Sequence, residues 1–220
     1  MHQIEHLCTF VKPSMAVVTN IGVSHMELLG SRENIARAKS ELLAALPATG
    51  FAVLNADDEF TPLLERFAQV DERGVKVHSY GFSPDAEVRA MNVSYDAEAC
   101  ASFEVVAGSA DPVSVRLSIP GKHNILNALA AASAAYVLGI PGQAVTRGLE
   151  DFHGAGRRFE HKGSYHGAAV YDDYAHHPHE LQALLTTTKG LGYQRIICAF
   201  QPHTYSRTHE LFHDFVEVLK

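Results

Sequence analysis

The residues best suited to chemistry lie in one short stretch, VYDDYAHHPHE, between positions 170 and 180. Six consecutive positions, 172–177, contain two carboxylates, a phenol and two imidazoles, and they follow an apolar run at 168–171. Such a run is typical of a buried strand, and open α/β sheets bind ligands at the carboxyl ends of their strands. Because Pro178 suits the first position of a helix, the stretch is predicted to be a strand-to-helix loop that carries acid–base groups.

A second polar group follows another predicted strand, at 195–200. His203, Tyr205 and Arg207 stand where an ordinary turn would carry Gly, Asn or Asp. Histidine, phenol and guanidinium together favour a binding or catalytic loop over simple chain reversal. The two loops are therefore interpreted as a pair at one sheet edge.

Three further clusters each have an ordinary explanation beside a functional one. The cluster at 20–27 follows a predicted strand, and its His25 taken alone is more typical of a hydrogen-bonded loop histidine than of a metal ligand. Lys39 lies near the apolar stripe of the next helix, where a lysine usually extends toward solvent. The cluster at 123–127 begins an Ala-rich helix, so Asn124 is either a ligand-binding amide or a plain N-cap.

The composition limits the class of protein. The 220 residues are 46% hydrophobic and carry a formal net charge of −7, so a packed core is expected and a nucleic-acid or acidic-membrane surface is not. No apolar run approaches the roughly 20 residues that span a bilayer, and the expected location is the cytoplasm. Cys8, Cys100 and Cys198 are interpreted as reduced packing residues, because they are few, odd in number and far apart.

The pattern of predicted elements gives the fold class as α/β. Alternating strands and helices over the first 71 residues predict a parallel sheet with right-handed crossovers, and Ser31 is expected to cap one of these helices. Short runs with period-two alternation between 75 and 119 predict an added antiparallel β segment. Helices are expected at 125–138 and near 143–149.

A flexible joint, Gly154–Gly156, is predicted to divide the chain into two lobes. The second lobe is expected to be another parallel α/β unit, with strands near 160–165, 168–171 and 195–200 and a helix at 178–189. Both lobes are then expected to offer the carboxyl ends of their strands to one shared crevice.

Several of these motifs resemble those of the Mur ligase family, the ATP-dependent enzymes that add amino acids to the UDP-muramyl precursor of peptidoglycan. The resemblance covers nearly the whole chain. VVTNIGVSHMELLGSRENIARAKSELL, NADD and PGKHNILNALAAASAA resemble the central ATPase domain, and GAGRRFE resembles its junction with the C-terminal domain. It implies that residues 1–154 are part of a P-loop-type central domain and 155–220 part of a Rossmann-like C-terminal domain.

The resemblance also implies a role for each candidate residue. His25 and Lys39 would hold Mg²⁺, with Lys39 as a carbamate, an oxygen donor that suits this hard cation. Asn124 would contact the adenine of ATP and Arg158 its phosphates, and Asp173 would bind the nucleotide from the C-terminal domain.

The loops of the second lobe would hold the other substrates. Tyr174, His176, His203 and Arg207 would surround the substrate carboxylate or the incoming amino acid, with His176 and Arg207 joining Lys39 as catalytic groups. DDYAHHPHE and FQPHTYSRT resemble the members that join L-alanine to UDP-N-acetylmuramate through an acyl-phosphate. Thr204 departs from those members, which usually have Arg there.

Alternatives remain open on the sequence alone. The helix ENIARAKSELL resembles the relative that adds D-Ala-D-Ala, and a murein peptide ligase or a folate-type polyglutamate ligase would share much of the pattern. A non-catalytic relative that binds a nucleotide or partner is a different class, and an unrelated histidine-rich metal enzyme is another. No phosphate loop of the form G-x-x-x-x-G-K-[ST] occurs, so we expect a fragment that lacks the UDP-binding domain and catalyses nothing alone.

Overall fold

The computed structural model describes residues 1–22 and 29–220. The elements of the first lobe are, in order, α1 (Gln3–Val11), β1 (Met15–Val18), α2 (Arg32–Ala44), β2 (Phe51–Asn55), α3 (Thr61–Ala68), α4 (Val70–Arg73), β3 (Lys76–Gly81), β4 (Val88–Tyr95), β5 (Cys100–Ala107), β6 (Val113–Pro120), α5 (His123–Val137) and α6 (Gly142–Glu150). The elements of the second lobe are β7 (Glu160–Tyr165), β8 (Ala168–Asp172), α7 (Pro178–Gly190), α8 (Tyr205–Glu210) and α9 (Phe212–Leu219).

One six-stranded sheet forms the first lobe, in the order β1 to β6. The first four strands are parallel, with Val17 opposite Val53 and Val53 opposite His78. The last three are joined antiparallel, and Phe103 lies opposite Val115. The parallel sheet is thus confirmed. The first of the predicted antiparallel runs, β3, is instead parallel to β2, because the helical connection through α3 and α4 returns the chain in the same direction.

Apolar residues cover both faces of this sheet. Alternation along β2 sends Val53 into a cluster with α5, whereas Leu54 packs into a cluster with α2 and α3. Ile35 and Leu43 of α2 are buried in the second cluster. The predicted cap of α2 is confirmed, since the Ser31 hydroxyl accepts the Asn34 backbone N–H at 3.2 Å.

The second lobe is built on an antiparallel hairpin rather than on a parallel sheet. β7 and β8 pair with each other, and α7 follows them as expected. The predicted strand at 195–200 is wrong: the structure has no strand there, and Ile197 is 79% exposed. A strand needs a neighbouring strand to bond its backbone, and the part of the chain that the structure describes places none beside it. The two-lobe α/β class itself is confirmed.

Several surface features complete the description. No strand among residues 1–22 and 29–220 pairs with the outer edge of β1, and α1, which packs on α2, exposes Leu7, Phe10 and Val11. Over the same residues, no helix has the length and apolar character that a bilayer crossing requires. All three cysteines are free; Cys198 is exposed, so the prediction that it is a packing residue is wrong.

Candidate functional site

A cavity of about 890 Å³ brings together three predicted nucleotide-binding residues. Asn124 comes from the first turn of α5, Arg158 from the segment after the glycine joint, and Asp173 from the position just after β8. Much of the remaining wall consists of apolar side chains of α5, α6 and α7. Residues that are separated by 49 positions in the sequence therefore face one space between the lobes.

Asn124 is held in place by two side-chain hydrogen bonds. Its Nδ2 donates to the Pro120 carbonyl oxygen at 2.8 Å, and its Oδ1 accepts from Asn127 Nδ2 at 3.1 Å. The N-cap of α5 is Lys122, so the alternative that Asn124 is a plain cap is wrong. Asn127 also lines the cavity, one helical turn further on. Sequence reasoning did not single it out, although its i, i+3 spacing from Asn124 places both amides on one helix face.

Asp173 forms hydrogen bonds with the backbone around it. One carboxylate oxygen accepts the Phe159 N–H at 2.7 Å and the other accepts the Ala175 N–H at 2.7 Å. These bonds tie the chain just beyond the glycine joint to the loop that follows β8. Asp173 thereby fixes the cavity wall that contains Arg158.

Two arginines flank the ring of Tyr174. The guanidinium carbon of Arg157 lies 4.7 Å from the ring centroid and that of Arg158 lies 5.6 Å away, both within cation–π range. Only Arg158 of the two lines the cavity. Tyr174, which was predicted to bind substrate, thus contacts the residue that was predicted to bind phosphate.

Three of the four predicted substrate-binding residues, Tyr174, His176 and His203, lie next to one another. The ring centroids of Tyr174 and His176 are 5.0 Å apart, and those of His176 and His203 are 6.1 Å apart. The His176 backbone N–H donates to Glu180 Oε2 at 2.9 Å. Arg207 lies near enough to His177 to help lower the pKa of that imidazole, although burial is the larger cause.

Lys39 lies at the carboxyl edge of the large sheet. Lys39 Nζ donates to the Asn20 carbonyl oxygen at 2.7 Å, so it points toward the end of β1 and not into solvent. Burial lowers the pKa of Lys39, and the Asp58 carboxylate opposes that shift. His25, the other predicted metal ligand, lies outside the described residues.

The cavity suits a nucleotide, whereas a magnesium site has to be considered separately. The cavity combines apolar surface for a base, amide groups that orient it and a guanidinium for phosphate, which suits a nucleotide. For Mg²⁺, no group of three or more His, Cys, Asp or Glu within 1–22 and 29–220 could hold the ion.

Comparison with known proteins adds the family. The Mur ligase middle domain matches residues 1–135, and the Mur ligase glutamate ligase domain matches residues 157–220. The chain is 37% identical over 215 residues to the UDP-N-acetylmuramate–L-alanine ligase of Clostridium tetani. That match covers 97% of this chain and 46% of the relative, so the chain spans about half the length of the curated relatives that it matches.

Solved structures agree in fold. The MurF structure from Acinetobacter baumannii superposes with a TM-score of 0.76 at 27% identity, covering 85% of this chain and 40% of that one. The UDP-N-acetylmuramate–alanine ligase of Thermotoga maritima gives 0.71 at 27% identity, covering 95% and 44%. With a family match over more than half of its length and a cavity that gathers the expected residues, this chain belongs to the Mur ligase family.

Proposed function

We propose that this chain is part of an ATP-dependent amide ligase of peptidoglycan precursor synthesis, which joins L-alanine to UDP-N-acetylmuramate. One observation carries the proposal: Asn124, Arg158 and Asp173 come from three separate segments and line a single nucleotide-sized cavity. The names of the curated relatives support the choice of substrates.

We further propose a division into two domains, residues 1–154 from the central ATPase domain and 155–220 from the C-terminal domain. The cavity lies across this division, since Asn124 is on one side and Asp173 on the other. Ligand binding would therefore depend on both domains at once.

The chemistry follows from what each residue offers. When bound, ATP supplies the phosphoryl group that converts a carboxylate into a better acylating agent, and the products are an amide, ADP and phosphate. Arg158 would orient the phosphates and Asn124 the base. His176 and Arg207 would hold the substrate carboxylate or the incoming amine with charge-assisted hydrogen bonds, and Tyr174 and His203 would complete that pocket. Positioning of this kind accounts for a large part of such catalysis.

We propose His25 and Lys39 as the only protein ligands of a magnesium ion. In the structure Lys39 is engaged with the Asn20 carbonyl oxygen, and the described residues complete no ligand set. We assign the ion no step of the reaction.

Nucleotide binding is testable with a pair of adjacent arginines. Arg158→Ala should weaken binding of ADP about tenfold or more, because a charge-assisted hydrogen bond contributes about 1.5–3 kcal/mol. Arg157→Ala is the matched control: it removes the same charge and also a Tyr174 contact, but Arg157 does not line the cavity. Isothermal titration calorimetry with ADP measures both, and equal losses for the two variants would contradict the assignment.

Ligase activity needs a longer protein. A chimaera that joins the N-terminal half of the Clostridium tetani relative to this chain should release phosphate from ATP only when UDP-N-acetylmuramate and L-alanine are both present. The 220-residue chain alone should release none. Steady release by the chain alone, or none by a folded chimaera, would count against the proposal.

A second candidate is addition of D-Ala-D-Ala to a longer precursor. It is favoured by the D-alanyl-D-alanyl ligase of Acinetobacter baumannii, which superposes with a TM-score of 0.75 at 26% identity over 97% of this chain. Offering the chimaera D-Ala-D-Ala with the matching tripeptide precursor decides between the two, since only the preferred amine and acceptor should support rapid phosphate release.

A further inference from the structure

Side chains from elsewhere in the fold hold the backbone where β1 ends. Three consecutive residues, Thr19 to Ile21, offer carbonyl or amide groups that meet side chains of α2, β2, β3 and the β2–α3 loop. The Thr19 carbonyl oxygen accepts from Asn55 Nδ2 at 3.0 Å and from Tyr80 Oη at 3.2 Å. The Asn20 carbonyl oxygen accepts from Lys39 Nζ at 2.7 Å. The Ile21 N–H donates to Asp58 Oδ2 at 2.6 Å, and the Ile21 carbonyl oxygen accepts from Arg32.

Asp58 joins the end of β1 to the beginning of α3. While Oδ2 accepts the Ile21 N–H, Oδ1 accepts the Phe60 N–H at 2.8 Å. Both acceptor positions of this carboxylate thus bond backbone amides. The Ile21 side chain is almost completely buried, so an unbonded N–H at this point would be costly.

Arg32 completes the attachment from the other side. Its Nε and Nη2 donate to the Ile21 oxygen at 3.3 and 2.9 Å, while Nη1 pairs with Glu59 Oε1 at 2.6 Å. The guanidinium carbon also lies 4.2 Å from the centroid of the Phe60 ring. The Ile21 N–H is therefore held by Asp58, and the Ile21 carbonyl oxygen is held by Arg32. Asp58 precedes Glu59 in the sequence, and Arg32 forms an ion pair with Glu59.

We propose that Arg32 and Asp58 are positioning residues of the ligase, which fix the backbone of Asn20 and Ile21 and thereby the site where Lys39 is anchored. The role in a ligase rests on the proposed function; the fixing of the backbone does not. Neither residue lines the cavity, so both act through the backbone that they hold. The Lys39 amine can be held in one position only if the Asn20 carbonyl oxygen that it bonds is itself fixed.

The adjacent residue Asp57 provides a matched control. Its two oxygens accept the N–H groups of Phe82 and Ser83 at 2.6 and 2.9 Å, at the end of β3. Asp57 and Asp58 thus have the same chemistry and neighbouring positions, but they hold different strand ends.

Amide hydrogen exchange followed by NMR tests the backbone part on the chain itself. Asp58→Ala should speed exchange of the Ile21 N–H roughly tenfold or more, in line with a lost bond to a charged acceptor, and should leave Phe82 and Ser83 near their wild-type rates. Asp57→Ala should do the reverse. Exchange at Val53, in the sheet core, reports whether either variant has lost global stability.

Arg32→Lys is a milder second variant in case Asp58→Ala does not fold. It keeps the positive charge near Glu59 but replaces a planar fork by a single ammonium group. Faster exchange at Ile21, relative to Val53, is again expected. If neither Arg32→Lys nor a folded Asp58→Ala variant changes Ile21 relative to Val53, the proposed attachment is overturned.

The chimaera tests the functional part. Asp58→Ala should lower kcat at least tenfold with the KM for L-alanine changed less than twofold, Asp58→Asn should recover part of kcat, and Asp57→Ala should keep most of it. Equal loss of kcat in both alanine variants would overturn the positioning role. An inactive wild-type chimaera would instead count against the proposed function, and the exchange data would still decide the attachment.

Discussion

Three aspartates of this chain, Asp57, Asp58 and Asp173, use both carboxylate oxygens to accept backbone N–H groups. Each follows a strand and ties that strand's end to another part of the fold. A carboxylate at such a place is easily read as a general acid or a metal ligand. At the scale of the residue, these acids are first of all organisers of the loops around the site.

Asp173 and its neighbour Asp172 allow this to be measured. Asp173→Ala should lower the free energy of unfolding by about 1–3 kcal/mol, because it leaves two amide donors without their acceptor. Asp172→Ala should change it by less than about 0.5 kcal/mol, since that half-exposed carboxylate forms only a loose ion pair, 3.8 Å from Arg157 Nε. Urea titration of both variants gives the comparison, and similar losses would refute the distinction.

The family resemblance, and not local residue patterns, pointed to the residues that line the cavity. Asn124, Arg158 and Asp173 were identified by resemblance, and the structure places them around one cavity. What spacing could not indicate is the stacking of Arg157 and Arg158 on Tyr174. That contact depends on how a loop folds back after the joint, which no local periodicity encodes.

At the scale of elements, α7 shows how a loop of apparent catalytic residues also begins a helix. The His177 imidazole accepts the His179 N–H at 3.4 Å, and Glu180 accepts the His177 N–H at 3.2 Å. This reciprocal arrangement satisfies two of the free donors at a helix start. Pro178 is at the first helical position, as the sequence predicted, and it is buried.

The cap makes the stability of α7 depend on pH. Burial, then His179, and with them Arg207 and His176, lower the pKa of His177, while Glu180 opposes them. The unfolded imidazole titrates near 6.5, so the unfolded chain binds the proton more readily. The contribution of His177 is therefore complete above that value and is lost as the pH falls below it.

His177→Asn should reduce this dependence, because asparagine caps helices without titrating. Between pH 7.5 and pH 5.5 the melting temperature should fall more for the wild type than for the variant. Circular dichroism at 222 nm follows the transition. Parallel pH profiles for the two proteins would show that the imidazole does not carry the effect.

Elements differed in how well the sequence predicted them. Helix α5 lies within a few residues of its predicted bounds, and Ser31 caps α2 as predicted. The run at 195–200 is apolar enough for a strand but forms none. Strand formation depends on a partner as well as on the segment's own residues, and only the tertiary structure reveals the partner.

The described chain forms two lobes with the cavity between them, and Gly154 to Gly156 lie in the segment that connects α6 to β7. Gly154 has φ of +101°, and an added Cβ would lie 3.3 Å from Ile119 Cγ2. Gly156 has no such φ, and its nearest contact would be Glu160 Oε2 at 3.8 Å. Composition predicted a joint here, and the structure shows that only one of the two glycines requires its backbone freedom.

Gly154→Ala should therefore destabilise the protein by about 1–3 kcal/mol through backbone strain, and Gly156→Ala should be close to neutral. The same order should appear in ADP affinity, because the strain lies between the two halves of the cavity. Chemical denaturation and calorimetry with ADP supply the two measurements. An equal response of the two positions would argue that the joint is insensitive to glycine conformation.

The unpaired outer edge of β1 should affect how these 220 residues behave in concentrated solution. Its backbone donors and acceptors form a template with which another extended strand can pair. Concentrated solutions of the isolated chain should therefore tend toward self-association through that rim. Val17 is 38% exposed on β1, and a Val17→Lys substitution should reduce this self-association and so help crystallisation and spectroscopy.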